Sequence, residues 1–359
     1  MFDIFDKLQK VNSDEALDRI KGSLVGGAVG DALGYRVEFM QDFSIFKRYG
    51  DQGITEYELT DGVAQISDDT QMTLFTAEGL LHAKDRWAAP TVDQYTEEIY
   101  KSYLDWYQTQ SFDSPVALGD SRREHSELLN VAGLFSPRAP GGTCLSALES
   151  GNCGNLDYRI NHSKGCGGVM RVAPIPLMLA GKEGVSPETV DMIAARSSAI
   201  THGHLLGFVS SVLISRIIAE IMGGKSLHAS VEIARRAVRA FGDAGDADLL
   251  DYFERKIADA VELAADHETD PLDAIRTLGE GWVAEETAAI AVYCSLRFSD
   301  DFEQAIIASV NHSGDSDSTG AVTGNIVGAY LGYAQIPERF ITTLEHRDLI
   351  LSMAERLAE

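Results

Sequence analysis

Apolar residues recur at spacings of three and four along most of the chain, the mark of one-sided helices. The pattern is clearest after residue 185, in "ETVDMIAARSSAI", "HLLGFVSSVLISRIIAEIM", "LHASVEIARRAVRAFG" and "DADLLDYFERKIADAVELAAD". Turn-forming "GGKS" and "GDAGD" separate them. "EETAAIAVYCSLRF", "DFEQAIIASV" and "ERFITTLEHRDLILSMAERLAE" carry the same period to the end. Strand-like alternation is confined to "GITEYELT", which reads as a loop or short hairpin. The pattern predicts an all-α fold in one body. Residues 16–359 are read as that body and residues 1–15 as an appended segment, in which Phe2, Phe5 and Leu8 predict a short extra helix.

Two segments break the helix rules in the same way. "GSLVGGAVGDALG" places Gly22, Gly26, Gly30 and Gly34 at strict four-residue intervals, and "STGAVTGNIVGAYLG" does the same with Gly320, Gly324, Gly328 and Gly332. Each glycine costs about 0.8–1 kcal/mol of helix propensity relative to alanine, so tertiary contact must return the loss. Residues four apart share a face, so each helix carries a bare stripe that lets another backbone approach. A membrane GxxxG pair is excluded because Asp31 and Asn325 interrupt runs that are already too short. Two central helices, one from each end of the chain, are therefore expected to pack closely.

Polar residues crowd the starts of two apolar runs. "ISDDT" places Ser67, Asp68, Asp69 and Thr70 before one, and "GDSDST" places Asp315, Ser316, Asp317, Ser318 and Thr319 before the other. Capping explains one such residue per helix, whose oxygen accepts an orphan N–H. It does not explain the surplus. Adjacent carboxylates repel unless cations or strong donors hold them, and oxygen donors without His or Cys point to Mg²⁺, Mn²⁺ or Ca²⁺ rather than zinc. An EF-hand is excluded because its twelfth position holds Ile326 and apolar helix replaces the loop.

A third constellation, "NHSKGCGGVMRVAPIPLML", has Gly165, Gly167 and Gly168, which leave backbone N–H groups free to approach a ligand. It matches neither GxGxxG nor the P-loop. "SSAITHGHLLG" follows, with His202 and His204 two apart.

Composition narrows the function classes. Over 359 residues the apolar fraction is 45%, ordinary for a globular protein, but the formal net charge is −25. That charge repels nucleic acid and anionic membrane, and suits a cationic target such as an arginine-bearing protein. Cys144, Cys153, Cys166 and Cys294 show no CxxC spacing and read as free thiols of a reducing cytosol. The start "MFDIFDKLQK" is not a signal peptide, and "FVSSVLISRIIAEIM" carries Arg216 and Glu220 and is short for a membrane span, so the expected location is cytoplasmic.

"GSLVGGAVGDALGYRVEF", "ISDDTQMTLF", "GCGGVMRVAPIPL", "SSAITHGH" and "GDSDSTGAVTGNIVGAYLG" resemble, in the same order, the motifs of the ADP-ribosylglycohydrolases. The resemblance runs from about residue 20 to about residue 332. It implies an orthogonal multi-helix domain around two Mg²⁺ or Mn²⁺ ions. Ser67, Asp68 and Asp69 would supply metal ligands from one side, and Asp315, Asp317 and Ser318 from the other, with Asp31 behind them. Glu38 would sit on a mobile loop over the site; Asp69, Asp315 and Glu38 would be the catalytic carboxylates. His162, Ser163, Lys164, Gly165, Cys166, Gly167, Gly168 and His202 would bind the ADP-ribose. The family commonly has Thr where Ser67 and Ser318 stand, and often Asn at Cys166. The implied reaction removes ADP-ribose from a protein side chain, most plausibly arginine. The implied partners are the ADP-ribosylated protein and a cognate ADP-ribosyltransferase or its target. Two other functions fit the residues: two-metal phosphoester or pyrophosphate hydrolysis, and a binding module without turnover.

Overall fold

The computed structural model describes residues 12–121, 126–242 and 246–359. Phe2, Phe5 and Leu8, expected to form an extra helix, lie outside the described residues. Sixteen α-helices occur among the described residues. The first eight are α1 (Ser13–Gly34), α2 (Asp42–Tyr49), α3 (Asp68–Arg86), α4 (Val92–Ser111), α5 (Gly142–Glu149), α6 (Pro174–Leu179), α7 (Pro187–Ala199) and α8 (Leu205–Met222). There follow α9 (Leu227–Ala237), α10 (Ala247–Ala265), α11 (Pro271–Leu278), α12 (Ala284–Arg297), α13 (Phe302–Val310), α14 (Ser316–Leu331), α15 (Glu338–Thr342) and α16 (Arg347–Ala358). Extended pairing among the described residues is limited to isolated bridges. The all-α expectation holds.

Helix α1 begins at Ser13, where the Asn12 side chain accepts the Glu15 N–H, so residues 13–15 of the segment read as appended belong to this helix. "GITEYELT" is a loop, closed by a Thr60–Val63 bridge around Asp61 and Gly62 in left-handed conformation. The C-terminal pattern is interrupted where periodicity predicts continuity. His346 takes φ 56° and separates α15 from α16. The intervening strand-like residues are taken by Ala64, whose N–H donates to Thr343 O at 2.8 Å and whose carbonyl accepts from Glu345 N at 3.0 Å.

The centre of the molecule is the antiparallel pair α1 and α14, the most extensive helix contact in the fold. Gly22 faces Gly328, Gly26 faces Gly324 and Gly30 faces Gly320, and Gly34 faces Ser316. A Cβ on Gly26 would lie 2.5 Å from Gly324 O, and one on Gly320 2.5 Å from Gly30 O, closer than carbon and oxygen can approach. Asn325, the polar residue in the apolar run, clamps the two backbones. Its Nδ2 donates to Ser23 O at 2.9 Å while Ser23 Oγ donates to Asn325 O at 2.9 Å. Buried polar groups are thereby paired beside the stripe where the two backbones meet.

Around this pair α3, α8, α12, α13 and α16 supply the apolar layers. By length and composition alone α8 could cross a bilayer, with a mean hydropathy of 1.9, but 83% of it is buried among other helices. It is a core helix. Among the described residues no other helix meets that test.

The glycine contacts predict a sharp contrast in stability. Gly26→Ala must push α1 from α14 and is expected to lower unfolding free energy by about 3 kcal/mol or more. Gly142→Ala, whose Cβ would meet nothing within 4 Å, is expected to stay within about 0.5 kcal/mol of the parent. Urea unfolding of both variants checks this, and equal stabilities would refute the backbone contact.

Candidate active site

Antiparallel pairing puts the C-terminal end of α1 beside the N-terminal end of α14, and the start of α3 reaches the same place. Both acidic clusters do begin helices, and capping takes one residue of each. Ser67 Oγ accepts the Asp69 N–H at 3.2 Å, and Asp315 Oδ1 accepts the Ser318 N–H at 3.4 Å. Ser316 and Thr319 turn away from the cleft, donating to His312 O at 3.3 Å and Ser309 O at 2.7 Å. The surplus remains: Asp68, Asp69, Asp315, Asp317 and Ser318 line one cavity of about 200 Å³ together with Glu38.

Asp31 sits behind them, fully buried, one turn before the end of α1. It accepts from the Ser67 N–H at 2.9 Å, from the Thr70 N–H at 3.1 Å and from the Thr70 hydroxyl. A carboxylate on one central helix thus anchors the first turn of another. Ser67 is buried at the back of the site, its Oγ 3.4 Å from Asp69 Oδ2.

The electrostatics of this cluster are unfavourable without a cation. Burial, followed by the charge of Asp317, pushes Asp31 up to about 7, and the same causes push Glu38 up to about 10. Asp68, Asp69 and Asp315 are raised well above the usual carboxylate range by burial and by Asp317. Burial raises Asp317 itself. Helix N-termini soften the repulsion, since α3 and α14 present their positive ends here. Two oxygens are still orphaned: Asp69 Oδ1 and Glu38 Oε2 are buried with no hydrogen-bond partner. One oxygen each from Glu38, Asp315 and Asp317 lie within 4.8 Å of one another, the spacing at which carboxylates share a cation. An all-oxygen, acidic and partly unsatisfied donor set fits a hard divalent ion.

The glycine loop forms the opposite wall. Gly165, Cys166, Gly167 and His202 line the cavity. His162 is exposed, and neither it nor Ser163 is on the lining; Gly168 packs against Ser198 instead. Lys164 points elsewhere too, forming an ion pair with the buried Glu285 that ties the loop to α12, where Ala284 N also donates to Lys164 O at 2.8 Å. Beneath the loop, Arg171 is completely buried and stacks on Tyr103, 4.1 Å from the ring centre. Its Nη2 donates to Thr201 Oγ1 at 2.7 Å, and that oxygen lies 2.8 Å from His202 Nδ1. Burial and the Arg171 charge push His202 down to about 3, so its imidazole is neutral and faces the loop glycines with Nε2. His204 is an N-cap, accepting the Leu206 N–H at 3.1 Å.

Other residues of the site had no marked signal in the sequence. Gly141 donates its N–H to Asp68 Oδ2 at 3.1 Å, and Thr143 and Cys144 follow it along the wall. "APGGT" before α5 was the available cue, a pair of glycines opening a helix. Trp282 closes the mouth, stacked on Phe39 with ring centres 5.7 Å apart. That contact draws the residue after Glu38 toward the loop before α12, and both rings remain substantially exposed. A larger open depression of about 780 Å³ lies elsewhere, lined by His82, Arg86, Glu98, Lys101, Glu127 and Arg356. Its arginines and lysine are paired with carboxylates, so it lacks the orphaned groups that mark the acidic cavity.

Comparison with known proteins agrees with this arrangement. The ADP-ribosylglycohydrolase family model matches residues 12–359. The chain belongs to that family of hydrolases. It is 25% identical over 335 residues to the ADP-ribosyl-[dinitrogen reductase] glycohydrolase of Rhodospirillum rubrum, covering 91% of this chain and 90% of that one. It is 25% identical to human ADP-ribosylhydrolase ARH3, over 92% and 90% of the two chains. The ADP-ribosylarginine hydrolase Tri1 of Serratia proteamaculans is also 25% identical, over 97% and 81%. A solved structure described as an ADP-ribosylglycohydrolase-related protein complex superposes with a TM-score of 0.58 at 23% identity, covering 96% of this chain and 98% of that one, and shares the fold.

The raised carboxylates predict an unusual pH dependence for the metal-free protein. Folded Asp31 keeps its proton to about pH 7 and Glu38 to about pH 10, whereas unfolded carboxylates lose theirs near about pH 4. The folded state binds more protons, so this stabilisation is fully present below about pH 4 and is lost as pH rises through 7 toward 10. The melting temperature in EDTA is expected to fall between about pH 5 and pH 8, and saturating Mg²⁺ or Mn²⁺ to flatten that slope. A melting temperature indifferent to both would remove the buried-charge account.

Proposed function

We propose that this protein is a metal-dependent ADP-ribosylhydrolase that releases ADP-ribose from modified arginine side chains. The observation that carries the reading is the meeting of two acidic helix starts, with orphaned carboxylate oxygens, in one cavity walled by a glycine loop. Ser67, Asp68 and Asp69 on one side and Asp315, Asp317 and Ser318 on the other would hold two Mg²⁺ or Mn²⁺ ions. Such ions would orient ribose hydroxyls and activate water.

The chain's own residues supply the remaining requirements. The bond broken joins C1 of the terminal ribose to a guanidinium nitrogen, water adds to C1, and the nitrogen leaves with a proton. Asp69 and Asp315 would take the water proton, and Glu38, on the same cavity, would hold the proton that the leaving nitrogen needs. Gly165, Cys166 and Gly167, the part of the loop on the cavity wall, would receive the ADP-ribose, with the Cys166 and Gly167 N–H groups serving the diphosphate. Neutral His202 would be a hydrogen-bonding partner rather than a charge. Arginine as acceptor is supported by the net charge of −25, which favours a cationic target, and by the Serratia relative being an ADP-ribosylarginine hydrolase. The partner would be a mono-ADP-ribosylated protein, in a regulatory cycle or in immunity to a cognate transferase. Residues 16–359 are assigned to the hydrolase body, together with residues 13–15, which begin α1.

The decisive assay is release of intact ADP-ribose from an arginine-ADP-ribosylated protein, with Mg²⁺ or Mn²⁺ and with EDTA, beside a serine-linked substrate. Metal-dependent release from arginine is expected. Asp315→Asn and Asp69→Asn should each lower turnover by about a hundredfold or more while leaving the fold intact. Ribose phosphate as product would favour pyrophosphate hydrolysis. Tight ADP-ribose binding without release would make the chain a binding module.

A further inference from the structure

One wall atom of the cavity is out of character with an all-oxygen site. Cys166 opens the short turn Cys166–Gly168, and its Sγ lies 2.8 Å from Asp315 Oδ2. The thiol and the carboxylate both line the cavity that holds Glu38, Asp69 and Asp317. Donor atoms in such contact can serve one cation, since neighbouring ligands around a six-coordinate ion with bonds of about 2.1–2.4 Å are about 3 Å apart. A second observation, independent of the thiol, marks the same spot as a ligand site. Asp69 and Glu38, both more than nine-tenths buried, each present an oxygen with no partner.

The other thiol on the wall is differently placed. Cys144 is buried and accepts from Arg171 Nη1 at 3.5 Å, so its sulfur meets a cation where that of Cys166 meets a carboxylate oxygen. Cys166 is half-buried, and its recorded hydrogen bond is the one to Asp315. Sulfur ligands favour borderline and soft ions such as Zn²⁺ and Cd²⁺, whereas Mg²⁺ gains nothing from them.

We infer that Cys166 supplies a sulfur ligand beside Asp315, so that this cavity takes thiophilic divalent cations in competition with Mg²⁺. The inference rests on the metal site of the proposed function. Ligation joins Sγ to the ion and releases the thiol proton to solvent, with no change of oxidation state. Because Cys166 stands on the glycine loop, an ion held this way also tethers the substrate wall to α14. The site would then respond to zinc in a way that its oxygen ligands alone do not dictate.

The test is a titration of the reduced, metal-free, full-length protein with Cd²⁺, following the ultraviolet sulfur-to-cadmium charge-transfer band, with calorimetric affinities for Cd²⁺ and Mg²⁺. A saturable band is expected in the parent and in Cys144→Ser, and its loss in Cys166→Ser. Cys166→Ser should weaken Cd²⁺ about tenfold or more and change Mg²⁺ by less than about twofold. Cys166→Ala repeats the test if the serine hydroxyl disturbs Asp315. Cadmium binding to the parent without the band, or a band that survives loss of Cys166, overturns sulfur ligation and leaves an oxygen-only metal site in place. Failure of the parent to bind Mg²⁺, Mn²⁺ or Cd²⁺ overturns the metal site itself.

Discussion

The contact between the backbones of α1 and α14 is the constraint on which the rest depends. Along four turns the facing ridge positions of α1 are glycines, and beside that stripe the Asn325 and Ser23 side chains exchange hydrogen bonds across the interface. Dispersion and these paired polar groups replace the local propensity that the glycines give up. The close approach also fixes direction and register. With α1 antiparallel to α14, the end of one must meet the start of the other, so Asp31 and Glu38 arrive beside Asp315 and Asp317. A slip of one turn would still set glycine against glycine along most of the stripe, but it would break the Ser23–Asn325 clamp and separate the carboxylates.

What this geometry gathers is, by itself, unstable. Six acidic side chains occupy a region where burial already disfavours charge, and the charge of Asp317 further raises the proton affinity of the other five. Helix N-termini, the Ser67 and Thr70 donors to Asp31 and the Gly141 N–H on Asp68 meet part of that demand. The orphaned oxygens of Asp69 and Glu38 show that the protein's own donors stop short. A fold that leaves such a deficit at its centre is arranged to have it met by a ligand, and the deficit has the sign and hardness of a divalent cation.

Much of this was legible locally. Four-residue glycine spacing announces a bare helix face whatever it packs against, and surplus carboxylates at helix starts are anomalous without knowing their neighbours. Periodicity placed α7, α8, α10, α12 and α13 to within a residue or so. It failed at Thr343–His346, where a bridge to Ala64 overrides helical preference. The remaining wall was hidden because it is made by loops brought in from afar. Trp282 carries no pattern of its own, Gly141 only the glycine pair that opens α5, and Cys144 reads only as a free thiol. Lys164 looked like a ligand residue within its motif; its partner is Glu285, a pairing that no local spacing encodes.

The central clamp joins Ser23 to Asn325, positions 302 residues apart. During synthesis α1 emerges well before α14, so for a long stretch of the chain the complementary ridge does not yet exist. Until then the bare face of α1 has nothing to lie against, and Asp68 and Asp69 have no opposing acids. Assembly of the acidic cavity therefore follows the synthesis of α14 and is not a property of any earlier folding unit. Products that terminate before α14 would lack it entirely.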